Sequence, residues 1–120
     1  MVKTIKITTG NQISIVELLD WSLKEKAKAI GAEYLEVVRT KRMYDFFGDM
    51  VVMLIDDSGF AENKPVNPVA SYFYGVDEHG GIIAGDILLG MERSPYNFPL
   101  KHPEAVKRLL MERFPSLWEV

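Results

Sequence analysis

The sequence contains no cysteine. That excludes a disulfide framework, thiolate metal sites and a cysteine nucleophile. Histidine is scarce: His79 and His102 are the only two. Neither has an acid or a nucleophile at a local spacing that general-base chemistry uses. Long apolar runs are missing, since the longest, Met50 to Ile55, falls far short of the ~20 residues of a membrane span. Met1 to Thr9 carries Lys3 and Lys6 among β-branched residues and lacks the apolar stretch of a signal peptide. No charge sign dominates: 14 basic and 17 acidic residues leave a net charge of −3. That is too weak for an acidic DNA mimic and has the wrong sign for generic DNA binding through phosphates. No repeat, low-complexity tract, metal motif or cofactor motif is present. The expected setting is the cytoplasm, without a membrane and without a cofactor.

What is present suits a single domain, residues 1–120. The hydrophobic content is 48% and the charged content 26%, close to the globular average. A chain of 13.6 kDa buries roughly two-thirds of its unfolded surface, enough for a core without staples.

Val2 to Thr8 alternates isoleucine with polar residues, the period of a half-buried strand. After a turn at Gly10-Asn11, a second strand is expected from Ile13 and Ile15 and, past a shift, Leu18 and Leu19. Ser22 and Glu25 have the spacing of a reciprocal capping box. The helix they open, about 22–30, turns Leu23, Ala27 and Ile30 to one side and stops at Gly31. Tyr34 to Val38 reads as a strand. Thr40 to Asp49 reads as a loop. Met50 to Ile55 reads as a strand covered on both faces.

Asn67 is a good N-cap and Pro68 a good first helical residue for a helix over 68–74, which Gly75 ends. Asp77 to Gly81 reads as a turn. Ile82 to Met91 is one strand bulged at Gly85, or a turn feeding a final strand. Ser94 to Pro99 reads as irregular. A helix over 103–114 presents Val106, Leu109, Leu110 and Phe114 as its apolar stripe. The order of elements predicts an α+β domain: a mostly antiparallel or mixed sheet of four to six strands with three helices.

Some groupings invite a chemical reading. Asp56-Asp57 ends a buried strand, where metal-dependent phosphotransfer sites place carboxylates, but Asp-Asp-Ser-Gly is also ordinary turn chemistry. Gly80-Gly81 lacks the lysine and the helix of a phosphate loop. Arg39, Lys41 and Arg42 beside Tyr44, Phe46 and Phe47 could hold a nucleotide-like ligand by charge and stacking, but the same segment also reads as a solvated loop whose aromatics turn inward as core. Tyr72, Phe73 and Tyr74 cannot all face one way on a short helix, so the helix is either buried with one tyrosine hydroxyl in water or offers a side, with Tyr74 the candidate, to a partner.

The runs Tyr-Leu-Glu-Val-Val (34–38), Val-Val-Met-Leu-Ile-Asp-Asp-Ser-Gly (51–59), Pro-Val-Asn-Pro-Val-Ala-Ser (65–71) and Ile-Ile-Ala-Gly-Asp-Ile-Leu-Leu-Gly (82–90) resemble a known pattern. It belongs to a family of small phage- and plasmid-borne proteins, a domain of unknown function. The shared positions are Glu36, Asp57, Gly59, Asn67, Ala70, Gly85 and Asp86. The resemblance implies a phage or mobile-element context and carries no reaction with it. Two functional expectations follow. One is a non-catalytic accessory protein that binds a host or phage protein. The other is a small-ligand, nucleotide-like binding module built on the basic and aromatic segment after residue 38. The residues that would make either contact are Arg39, Lys41, Arg42, Tyr44 and Tyr74. Ser22, Glu25, Gly31, Asn67, Pro68, Gly75 and Gly85 are expected to be structural.

Overall fold

The computed structural model describes residues 1–119. In chain order it contains β1 (Val2–Ile7), β2 (Ile13–Leu18), α1 (Leu23–Ala29), β3 (Leu35–Val38), α2 (Lys41–Phe47), β4 (Val51–Asp56), α3 (Pro68–Tyr74), α4 (Val76–His79), β5 (Ile87–Arg93), β6 (Tyr96–Phe98) and α5 (Pro103–Arg113). The strands form one sheet in the order β2-β1-β5-β4-β3, and β6 pairs with β5. Every pairing is antiparallel. β1 meets β5 at Ile87 and Leu88, and β6 meets it further along, at Met91 to Arg93. The fold is α+β.

Strand period places alternate residues on opposite faces, and both faces are covered. On one face Ile5, Ile7, Met53, Ile55, Ile87 and Leu89 pack with Met43 of α2, Val69, Ala70 and Phe73 of α3, and Leu110 of α5. On the other, Leu18, Val52, Leu54 and Leu88 pack under Ile30 and Trp21. All six residues of β4 are buried, which accounts for its apolar run from Val51 to Ile55.

Several local expectations change. Thr40 to Asp49 is not a loop: Thr40 Oγ1 accepts the Met43 N–H at 3.1 Å, and Gly48, at φ 68°, ends the helix. Seven residues are too few for a stable isolated helix; burial of Met43 and packing of Phe46 and Phe47 on the core hold this one. A short helix, α4, replaces the turn at Asp77, so the described residues hold five helices rather than three. The capping box is half formed. Ser22 accepts from the Glu25 N–H, but Ser22 N–H donates to Asp20 and Glu25 accepts from Leu19 N–H. Leu23 and Leu19 are exposed. β2 runs unshifted, with Ile15 opposite Ile5.

Ile82 to Ala84 is not a sheet strand. It lies along 65–67, with Asn67 N–H bonded to Ile83 O and Gly85 N–H to Pro65 O, both 2.8 Å. Ser71 Oγ accepts the Ile83 N–H at 2.9 Å. Gly85, at φ 98°, takes a backbone conformation that side chains oppose and feeds β5. Ser94 to Pro99 contributes the hairpin strand β6. On α5, Met111 joins Val106 and Phe114 against the core in place of Leu109.

Candidate functional site

The basic segment is largely engaged within the molecule. Arg39 pairs with Glu92. Lys41 pairs with Asp45 one turn along α2 at 2.8 Å, which raises the Lys41 ammonium above its ordinary value. Arg42 Nη1 donates to Tyr72 O at 2.8 Å and to Asp77 at 2.7 Å. Its Nη2 donates to Glu78 at 2.5 Å, and the guanidinium stacks 4.6 Å from the Tyr72 ring. The hydrogen bond to Asp77 leads the forces that raise Arg42 above its ordinary value, and the same bond holds the Asp77 carboxyl below its own. Arg42 is therefore a clasp between α2, α3 and α4. Phe46 and Phe47 turn inward against Phe73. Tyr44 alone of that aromatic set is exposed, beside a cavity of about 290 Å³ that Arg39, Lys41 and Met50 also line.

Tyr74 shares a cavity with Lys41 and Arg42 and also lies next to the edge of the sheet. The register sets the geometry of that edge. Asp57 N–H donates to Tyr34 O at 3.1 Å, so Tyr34 stands at a bonded position of the ladder. In an antiparallel ladder such residues alternate with ones whose N–H and C=O point away. Glu36 and Val38 therefore bond to β4, and the N–H and C=O of Leu35 and Val37 face outward from the last strand of the sheet. This edge is short and carries one charge, Glu36, but is otherwise open. It carries no proline or lysine, the usual protections, and Val37 and Tyr34 are 42% and 61% exposed. The opposite edge is partly covered: Trp118 O accepts the Ile13 N–H of β2 at 2.8 Å.

Against the β3 edge lies a cavity of about 150 Å³ whose lining includes Glu36, Val38, Asp57, Phe60 and Tyr74. Phe60 is 72% exposed. Glu36 and Asp57 take part in no ion pair among the described residues. Asp56, by contrast, is buried and already engaged. It accepts the Ser58 N–H at 2.9 Å and pairs with Lys64, which also donates to Gly31 O at 2.8 Å. Among the described residues no cluster of three or more His, Asp or Glu side chains is placed to hold a metal. His79 is taken up locally: Gly81 N–H donates to its Nδ1 at 3.1 Å, which leaves Nε2 as donor to Tyr74 O at 2.8 Å.

Of the five expected contact residues, then, the fold groups Arg39, Lys41 and Tyr44 at one cavity and Lys41, Arg42 and Tyr74 at a second of about 450 Å³, where Arg42 is engaged internally, and Tyr74 also reaches the β3 edge. Phe60, Val37 and Tyr34 were missed. The signal for them was a short β3 that is apolar apart from Glu36 and holds no proline or lysine. Asn67 holds its expected place as the α3 cap, accepting the Ala70 N–H at 3.2 Å. The chain matches no family model, no curated protein and no solved structure.

Proposed function

We propose that this chain is a non-catalytic accessory protein that acts by binding another protein, with the β3 edge as the contact. The carrying observation is the open edge itself: two outward N–H and C=O sets flanked by exposed Tyr34, Val37 and Phe60. Edges of this kind accept further strands. The ligand-module reading is weaker because Arg39, Lys41 and Arg42 each already face a carboxylate. The resemblance to phage- and plasmid-borne proteins supports a host or element-encoded protein as the partner. No helix among the described residues is long and apolar enough to cross a membrane, which is compatible with a partner met in the cytoplasm.

The test is affinity capture from bacterial lysate with wild-type chain and with Val37→Pro. The Val37 N–H points away from β4, so proline there removes an outward donor and leaves the ladder to β4 intact. A partner enriched by wild type and lost with Val37→Pro is the expected result. No enrichment over a charge-matched control protein would sink the reading. A nucleotide panel should leave the melting temperature unmoved, whereas a true ligand at 100 times its Kd would add about 2.7 kcal/mol.

A further inference from the structure

Resting on the β3 edge as the contact, we infer the chemistry of what docks there: an extended segment that adds antiparallel or parallel to β3 and places a lysine or arginine in the Glu36–Asp57 cavity. Strand addition draws affinity from main-chain bonds and specificity from pockets for alternate side chains. The edge provides both parts. Leu35 and Val37 supply the outward main-chain groups, and Val37 leaves an apolar stripe on one face. On the other face Glu36 and Asp57 offer two carboxylates beside the rings of Phe60 and Tyr74.

A basic side chain suits that lining in each of its parts. Its aliphatic stem covers the rings, its cation can sit over an aromatic face, and its head reaches carboxylates that lack a partner within the described chain. An acidic segment would meet like charge. A second copy paired about Glu36 would set that carboxylate opposite itself, which is destabilising in a strand pair. The neighbouring cations do not cancel this charge, because Arg39 is held by Glu92 and Lys64 by Asp56. The fitting occupant therefore alternates an apolar face with a central basic residue.

The experiment titrates the isotope-labelled full chain with three blocked heptapeptides and follows backbone amide shifts. The probes are Ser-Thr-Val-Lys-Val-Thr-Ser, its arginine counterpart and its glutamate counterpart. The basic peptides should shift the amides of Leu35 to Val38 and bind on the order of tenfold more tightly than the glutamate peptide. The double variant Glu36→Gln/Asp57→Asn should erase that preference, and Val37→Pro should remove binding of all three. Wild-type amide spectra elsewhere in each variant would show that the fold is kept.

Equal affinity for lysine and glutamate peptides overturns the inference. So does binding that survives Val37→Pro, or a wild-type dimer that Val37→Pro dissociates, since the occupant would then be a second copy. If no peptide binds while lysate capture remains sensitive to Val37→Pro, the basic-segment chemistry falls and the protein-binding reading stands.

Discussion

Replacing Asn67 by alanine removes far more than a helix cap. The side chain is fully buried. Its Oδ1 caps α3 through the Ala70 N–H, and its Nδ2 donates to Ile7 O at the end of β1 and to Gly85 O, each at 3.1 Å. One amide thus ties a helix start, a sheet strand and the segment entering β5. Losing a cap alone costs about 1 kcal/mol. Two further buried bonds add roughly 1 kcal/mol each, and more if the carbonyls are left without partners. The expected total is about 3 kcal/mol, a large fraction of a typical 5–15 kcal/mol stability.

For a chain of 120 residues that loss corresponds to a melting temperature about 12 °C lower. In urea the midpoint should move by about 1–3 M at unchanged slope. Two further variants separate the parts. Asn67→Ser can keep the cap and should recover about 1 kcal/mol. Asn67→Asp keeps the acceptor but turns an oxygen toward two carbonyls, so it should be no better than alanine. Equilibrium urea denaturation of the four proteins decides the matter. An alanine variant that loses only about 1 kcal/mol, or an aspartate variant as stable as wild type, would refute the cross-link.

Lys64→Met should destabilise by about 3 kcal/mol, because it strands the buried Asp56 carboxylate, and adding Asp56→Asn should restore part of the loss; chemical denaturation of the single and double variants checks this. Lys26 is buried against Trp21, with its ammonium 4.9 Å from the ring and donating to Asn97 at 3.2 Å. Burial holds it below its ordinary 10.5. Between that lowered value and 10.5 the unfolded chain binds more protons than the folded one, so this group's contribution to stability rises with pH across that window. Lys26→Met should be the more stable protein at neutral pH, with the difference shrinking toward pH 10.5; a pH-independent difference between the two denaturation curves would contradict this. Deleting 101–120 removes Leu110 and Leu117 from the core and should give aggregation or a much lower melting temperature; a soluble, monomeric and equally stable 1–100 fragment would make α5 an appendage.

The period of two in β1, the apolar run of β4, the Ser22 and Asn67 caps and the glycine stops at Gly31 and Gly75 could be read from the sequence because each rests on local chemistry. A cap needs only the next few amides, and a covered strand needs only apolar side chains. The α+β class followed from the order of such elements. The sequence could not show α2, because seven residues have little intrinsic helicity and only contact with Phe73 and the sheet selects the helix. Nor could it show that Arg42 is consumed by Asp77 and Glu78, acids 35 and 36 residues away. The β3 edge was equally hidden: a strand's sequence does not say whether a neighbour lies on one side or both. Which strand ends the sheet, which of its amides face outward, and which carboxylates and rings gather beside it depend on long-range pairing, and those contacts exist only once the chain has folded.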